Sequence, residues 1–199
     1  SGVVALDVRV RVEKRGRKLG FRRFAIRPYP KELEREIEWD GRRLLIRPIR
    51  PEDEAMLSEL LGSLSAEDVR MRFFGTIRNL PRSKLARFTQ IDYDREMALI
   101  ATVPGDDGNE VQIGVARYVT NPDGETVEFA VAVADDWHKR GIGRKLMNAL
   151  IEIARQKGYR AVIGDVLAQN ARMLRLMTTL GFTIHPHHED TAVKRVVCP

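Results

Sequence analysis

The stretch EFAVAVADDWHKRGIGRKLM, residues 128–147, decides the fold of this chain. Its first part is rich in small and branched apolar residues and predicts a β-strand over residues 126–134. Two glycines follow, Gly141 and Gly143, and an amphipathic pattern then predicts a helix that ends near residue 157. A strand that leads through a glycine-containing turn into a helix is a common place for anion binding in α/β proteins.

The turn at the head of this helix has the chemistry of an anion site. The first N–H groups of a helix have no partner within the helix, and the helix dipole places partial positive charge there. Glycines let the backbone approach a ligand closely. Four basic side chains surround the turn: Lys139, Arg140, Arg144 and Lys145. We therefore predict that the turn binds a pyrophosphate.

Two well-known phosphate-binding motifs are absent from this turn. A Walker A loop requires Gly-x-x-x-x-Gly-Lys-Ser/Thr, and a dinucleotide fingerprint requires a third glycine where this chain has Leu146. Taken alone, the two glycines are also compatible with a helix cap that binds nothing.

Outward from this stretch, the chain alternates between strand and helix patterns. Residues 43–46 and 97–134 predict strands separated by turns, with three helices between the first strand and the second. Ser65 and Asn170 stand where helix N-caps belong. The order β-α-α-α-β-β-β-α-β-α-β-β predicts an α/β fold with a mixed central sheet of about six to seven strands flanked by helices.

Residues 138–143, His-Lys-Arg-Gly-Ile-Gly, resemble the acetyl-CoA-binding motif of the GNAT superfamily, Gln/Arg-x-x-Gly-x-Gly/Ala. His138 stands where the motif has Gln or Arg. This difference affects only one side-chain contact, because backbone N–H groups hold most of the pyrophosphate in this superfamily. The resemblance extends over about residues 42–198 and includes the opening LIRPIRPED at residues 45–53 and the ending LGF at residues 180–182. It implies the GNAT fold and an acyltransferase that uses acetyl-CoA as its co-substrate.

The same resemblance implies which residues bind the co-substrate. The turn that would hold the pyrophosphate comprises His138, Lys139, Arg140, Gly141, Ile142, Gly143 and Arg144. In this superfamily the sheet splays after the strand before the turn, so the backbone of Val131 and Val133 is expected to pair with the pantetheine arm. Asn170 is either a ligand of the CoA arm or simply a helix N-cap, and both interpretations stay open.

Within the superfamily, the chain resembles bacterial Pat-type protein lysine acetyltransferases, which implies that Glu128 is the general base. A lysine side chain has a pKa of about 10.4, so a base must remove its proton before it attacks a thioester near neutral pH. The alternative is that Glu128 is a surface residue at a strand edge. Many GNAT enzymes use a Tyr to protonate the leaving thiolate, but this chain has Met177 there, so the thiol is expected to leave without that acid.

The N-terminal part of the chain is distinctly basic. Residues 1–30 carry nine Lys or Arg and two acidic residues. In Pat-type proteins a GNAT domain often follows a region like ADP-forming acyl-CoA synthetases, and GVVALD at residues 2–7 and FAIRPYP at residues 24–30 resemble the end of that region. We expect residues 1–41 to be a basic arm and linker left from that preceding domain, and residues 42–199 to be the GNAT domain. A nucleic-acid partner is not expected, because the aromatic residues of the arm form no RNA-stacking motif.

The composition limits the other function classes. The chain is 43% hydrophobic and 31% charged, has one cysteine, and has neither a long apolar run nor a secretory signal. We expect a cytoplasmic protein with no membrane partner. Three histidines and two acids at residues 185–190 are residue types that suit zinc, but strand alternation would turn them to different faces, so no metal is expected.

The sequence therefore predicts an N-acetyltransferase that acts on protein lysine side chains. Its partner would be a lysine-bearing protein such as an AMP-forming acyl-CoA synthetase, as the family resemblance implies. Two alternatives remain: a GNAT enzyme that acetylates a small-molecule amine or an N-terminus, and a non-catalytic module that senses acyl-CoA.

Overall fold

The computed structural model describes residues 27–75 and 81–199. Within these residues the strands are β1 (Arg35–Trp39), β2 (Arg42–Pro48), β3 (Glu96–Pro104), β4 (Glu110–Thr120), β5 (Thr126–Val133), β6 (Ala161–Leu167), β7 (Thr183–Pro186) and β8 (Val193–Cys198). The α-helices are α1 (Glu54–Gly62), α2 (Ala66–Phe73), α3 (Arg82–Thr89), α4 (Ile142–Gln156) and α5 (Ala171–Thr179). Most of the predicted basic arm lies outside the described residues.

The strands form a mixed sheet in the order β1-β2-β3-β4-β5-β6-β8-β7. Neighbouring strands are antiparallel except β5 and β6, which are parallel. Helices α4 and α5 pack on one face of the sheet, α1 and α3 pack on the other, and α2 lies against β5. Within the described residues, no helix is both long and apolar enough to cross a bilayer. The predicted α/β class, with a mixed sheet flanked by helices, is confirmed.

The sheet formed by the described residues has eight strands, slightly more than the six to seven expected. The additional strand is β1, and the interpretation of residues 35–39 as a linker is therefore wrong. Ile37 and Trp39 pack against the core, and the Trp39 ring lies 5.9 Å from the Trp137 ring. The other three residues of the strand, Arg35, Glu36 and Glu38, are charged and exposed, as an edge strand permits. The origin of the preceding arm in another domain stays a prediction.

Helix α4 packs directly against a glycine of β4, Gly114. Leu146 is completely buried on the inner face of α4. A Cβ atom at Gly114 would lie only 3.1 Å from Leu146 Cδ1 and 3.2 Å from the backbone oxygen of Ala132. A larger residue would push the helix away from the sheet. This close packing places the first turn of α4 beside the end of β5.

A buried ion pair joins β2 to the start of α1. The Arg47 guanidinium donates to both carboxylate oxygens of Asp53, at 2.7 and 2.8 Å, and each side chain is only 4% exposed. Replacing Asp53 by alanine is expected to lower the free energy of unfolding by about 3–5 kcal/mol, because the buried guanidinium loses its main partner. Urea denaturation followed by circular dichroism measures this loss.

Glu110→Ala is the matched control for this prediction. Glu110 accepts from the same guanidinium at 3.0 Å, but its side chain is 43% exposed. Its removal is expected to lower the free energy of unfolding by less than about 1 kcal/mol. An equally small loss for Asp53→Ala would show that water reaches the Arg47 guanidinium and that the pair contributes little.

Candidate active site

The sheet opens into a wedge between β5 and β6. The parallel pairing of these strands ends at Glu128 and Ile163, although both strands run on beyond those residues. After that point β5 stays paired with β4, and β6 stays paired with β8. The Phe129 ring packs directly against Gly164, the residue that follows Ile163, at the point where the strands separate. Glu128 therefore stands at the apex of the wedge.

The backbone of β5 beyond the apex points into this opening. The N–H group of Ala134 donates to the backbone oxygen of Ile113 on β4 at 2.9 Å. Because backbone groups alternate in direction along a strand, those of Val131 and Val133 face the opposite side, toward the opening. A ligand that carries amides in extended geometry can pair with such groups by strand addition. The position of these two residues beside the wedge is observed, and their contact with a pantetheine arm stays a prediction.

The turn before α4 leaves the start of this helix uncapped. Gly141 is the N-cap residue, with a φ of 81°, and no side chain among the described residues accepts a hydrogen bond from the first turn. Lys139 also has a positive φ, 61°, which is unusual for a residue other than glycine. The first N–H groups of α4 are therefore available to an anion.

Gly143 keeps this turn open. A Cβ atom at this position would lie 3.6 Å from Val133 Cγ2 and 3.7 Å from Leu176 Cδ2, which are ordinary packing distances. The protein therefore has room for a small side chain at position 143. A longer side chain would project into the space in front of the free N–H groups, where the predicted pyrophosphate lies.

The wedge and the turn belong to a single cleft of about 600 Å³. Ten of the eleven predicted site residues line it: Glu128, Val131, Val133, His138, Lys139, Gly141, Ile142, Gly143, Arg144 and Asn170. Arg140 does not line the cleft. Its guanidinium lies over the Trp137 ring, 5.4 Å from the centroid, and 3.9 Å from Asp40. The cleft is large enough to hold a cofactor-sized ligand.

Asn170 has a complete structural role as a helix cap. Its side-chain oxygen accepts a hydrogen bond at 3.0 Å from the N–H group of Met173 in the first turn of α5. Asn170 also lines the cleft. The N-cap interpretation is therefore confirmed, while a contact with the CoA arm stays a prediction.

His138 belongs to a polar network that joins α2, α5 and the turn. The Arg172 guanidinium donates to Nδ1 of His138 at 2.7 Å and to Asp68 at 2.6 Å. A guanidinium has no acceptor atom, so Nδ1 of His138 must accept and Nε2 must carry the hydrogen. Nε2 donates to the backbone oxygen of Val133 at 2.9 Å. The residue that departs from the motif is thus held against the end of β5.

Two groups of residues have the composition of a metal site. Asp68, Asp135 and His138 place ligand atoms within 4.8 Å of one another, but the Arg172 guanidinium already contacts two of these side chains and would repel a cation. The histidines near the C-terminus have separate partners. His185 bonds to Thr183 at 2.9 Å, and His187 lies 3.8 Å from Asp165.

The carboxylate of Glu128 is exposed in the cleft. Its neighbours Val127 and Phe129 are buried in the core beneath α4, and strand alternation turns Glu128 to the opposite face. No residue in ranges 27–75 and 81–199 forms an ion pair or a side-chain hydrogen bond with Glu128. Met177, by contrast, is completely buried and does not line the cleft. The cleft therefore contains a carboxylate at position 128, while position 177 is a buried methionine with no acidic proton. The role of Glu128 as the base stays a prediction.

Several residues of the cleft could not be recognised in the sequence. Asp68 and Arg72 come from α2, Asp165 comes from β6, and Arg172 comes from α5. In the sequence they look like ordinary charged residues on helices and strands, and no motif marks them. Only the packing of α2 and α5 around the wedge brings them to one cleft.

Comparison with known proteins agrees with this geometry. Residues 65–182 match the family described as Acetyltransferase (GNAT) family. Acetyltransferase PA5475 of Pseudomonas aeruginosa is 36% identical over 152 residues, which cover 76% of this chain and 81% of that protein. Acetyltransferase Pat of Mycolicibacterium smegmatis is 31% identical over 157 residues, which cover 78% of this chain but only 44% of Pat.

A solved structure shows the same relationship. The GNAT domain of S. lividans PAT superposes with a TM-score of 0.77 at 26% identity, covering 86% of this chain and 99% of that domain. The family match at residues 65–182 includes β5, β6 and α4, and hence the wedge, the uncapped turn and Glu128. The chain therefore belongs to the GNAT family of acetyltransferases.

Proposed function

We propose that this chain transfers an acetyl group from acetyl-CoA to the side-chain amine of a protein lysine, with Glu128 as the general base. Acetyl-CoA is the co-substrate of this acetyltransferase, and it supplies the acetyl group activated as a thioester. The observation that carries the proposal is the position of Glu128. Its carboxylate stands at the apex of the wedge, in the same cleft as the uncapped head of α4.

The cleft has binding groups for two parts of the co-substrate, the pyrophosphate and the pantetheine arm. The free N–H groups at the head of α4 fit the pyrophosphate, and Lys139 and Arg144 add positive charge there. The backbone of Val131 and Val133 fits the amides of the pantetheine arm. A pantetheine arm held in this way would lead from the turn towards the apex, where Glu128 would contact the acceptor amine.

The role of Glu128 follows from the chemistry of the acceptor. A protonated lysine amine cannot attack a thioester, so Glu128 would remove a proton from it, directly or through a water. The amine nitrogen would then bond to the acetyl carbon while the carbon–sulfur bond breaks, and the nitrogen would release a second proton to water to give the amide. Because Met177 has no acidic proton to donate, the departing sulfur would take its proton from water or leave as a thiolate, which a thiol pKa of about 8.5 allows.

The Pat proteins support a protein acceptor. Both the relative from Mycolicibacterium and the domain from S. lividans carry the name Pat. Residues 2–7 and 24–30 also resemble the end of the region that often precedes the GNAT domain in Pat-type lysine acetyltransferases. The proposed partner is an enzyme with a reactive lysine, such as an AMP-forming acyl-CoA synthetase. The chain spans less than half the length of Pat from Mycolicibacterium. The acceptor of the whole Pat protein is therefore carried over to this chain only as part of the proposal.

A thiol-release assay with a panel of acceptors tests this function. The chain is incubated with acetyl-CoA and either an AMP-forming acyl-CoA synthetase or a set of small amines, and mass spectrometry locates the acetyl group. We expect release of CoA thiol and acetylation at a lysine Nζ atom of the synthetase. The matched control is the synthetase with its lysines dimethylated, which should give no release of CoA thiol above background.

Other outcomes would contradict the proposal in different ways. Acetylation confined to small amines or to protein N-termini would assign a different acceptor class. Binding of acetyl-CoA without any acceptor-dependent release of thiol would favour a non-catalytic module that senses acyl-CoA.

A further inference from the structure

An arginine in the cleft forms no ion pair with any residue that the structure describes. Arg72 is the penultimate residue of α2 and lines the same cleft as Glu128. Its guanidinium lies over the ring of Phe73, with Cζ 4.8 Å from the ring centroid. Among residues 27–75 and 81–199, no carboxylate forms an ion pair with Arg72 and no acceptor receives a hydrogen bond from it. Five N–H donors of a partly buried cation are therefore unmatched by the described protein.

The neighbouring arginine, Arg117, already has a carboxylate partner. Arg117 donates to Glu96 at 3.2 Å, and Glu96 also forms an ion pair with Arg87. Burial and the positive charge of Arg117 lower the pKa of Arg72 to about 10, while the negative charge of Glu128 acts in the opposite direction. Arg72 is still a cation at neutral pH, and Glu128, the carboxylate whose charge acts on it, forms no ion pair or hydrogen bond with it.

A carboxylate is the ligand that best matches such a group. A guanidinium presents parallel N–H donors that fit the two oxygens of a carboxylate, and this pairing is strongest where water is partly excluded. Leaving the charge unpaired in a partly buried cleft is unfavourable, so an incoming anion would bind there favourably. The co-substrate phosphates are not the obvious anion, since the free N–H groups that suit them lie at the head of α4 and Glu128 lies beside Arg72.

We propose that Arg72 binds a carboxylate of the acceptor, so that the preferred acceptor carries an acidic group close to its reactive amine. The inference rests on the proposed function, because it assumes that the acceptor amine lies beside Glu128. Glu128 would then face the amine of the acceptor while Arg72 pairs with its acid. Two sources supply this chemistry: the free carboxylate of a small amino acid, or an acidic side chain beside a protein lysine.

Paired probes that differ only in the acid test the proposal. One pair is Nα-acetyl-lysine and its carboxamide, and the other is a blocked peptide with Lys followed by Asp and its Asn counterpart. Isothermal titration calorimetry measures the binding of each probe to the complex of the protein with CoA. We expect the acidic member of at least one pair to bind about tenfold or more tightly than its neutral partner.

Variants assign this discrimination to Arg72. Arg72→Met should weaken the binding of the acidic probe only, so that the two dissociation constants of a pair become about equal. Arg72→Lys should restore part of the difference, because the charge returns without the planar guanidinium. Arg70→Met is the matched control. Arg70 is an exposed arginine of the same helix that does not line the cleft, so its loss should leave the difference unchanged.

The results separate this inference from the proposed function. Three results would each overturn the carboxylate site. The unaltered protein binds the acidic and the neutral probe of each pair equally, it binds no acidic probe, or Arg72→Met weakens the binding of both probes of a pair equally. Discrimination confined to the peptide pair would identify an acidic side chain as the source, and discrimination confined to the amino acid would identify a small acceptor. Release of CoA thiol is measured separately, so a failure of transfer leaves the binding result intact.

Discussion

Replacing Gly143 by glutamate is expected to raise the dissociation constant of acetyl-CoA at least about 100-fold, which corresponds to about 2.8 kcal/mol. The glutamate side chain would occupy the space in front of the free N–H groups at the head of α4 and would place a negative charge where the pyrophosphate is expected. The fold should be unaffected, because a Cβ atom at this position has ordinary packing distances and an acidic residue near a helix N-terminus is favourable. Isothermal titration calorimetry measures the dissociation constant.

Gly143→Ala and the thermal unfolding midpoint serve as controls for this variant. The alanine adds the same Cβ atom without a charge, so its effect on binding should be much smaller than that of glutamate. Both variants should unfold within a few degrees of the unaltered chain. Undiminished acetyl-CoA binding by a folded Gly143→Glu protein would place the pyrophosphate elsewhere and remove the basis of the proposed binding mode.

Replacing Glu128 by glutamine is expected to lower kcat about 100- to 10,000-fold while leaving the affinity for acetyl-CoA unchanged. Glutamine keeps the size of the side chain but cannot accept a proton from an ammonium group. Since Glu128 is exposed and has no ion pair with a described residue, its replacement should change the free energy of unfolding by less than about 0.5 kcal/mol. Steady-state kinetics with the acceptor found in the thiol-release assay measures the loss.

Glu125→Gln is the matched control for the loss of charge. Glu125 is also an exposed glutamate, at the start of the same hairpin arm, but it does not line the cleft and its partner is Arg160 at 3.5 Å. Its replacement should leave kcat unchanged. Full activity of Glu128→Gln would remove this residue as the base, and a raised dissociation constant for acetyl-CoA would indicate that it binds the co-substrate instead.

The turn before α4 could be predicted because its parts are neighbours in the chain. The strand, the two glycines and the first helical turn follow one another within residues 126–147, so the local conformation alone brings their backbone groups together. The cap at Asn170 is predictable for the same reason, since a capping side chain reaches only to the third residue after it.

The strand β1 could not be predicted from its local pattern. It has only two apolar residues among charged ones, Ile37 and Trp39, and an edge strand with one solvated face resembles a charged linker in composition. Its stability comes from pairing with β2 and from the packing of Trp39 against Trp137, which lies almost one hundred positions further along the chain.

The chain sequence by itself determined the mixed α/β class, the glycine-containing turn before α4 and the place of Glu128 on the strand that precedes it, because each depends on residues that are adjacent or alternate along one element. Only the tertiary structure decided which distant charges meet in the cleft. Arg172 contacts Asp68 across 104 positions of sequence. Arg72 lines the cleft without an ion pair to a described residue, while Arg117 pairs with Glu96. Such pairings depend on how helices pack on the sheet, and that packing is set by the sum of many weak apolar contacts that no short motif records.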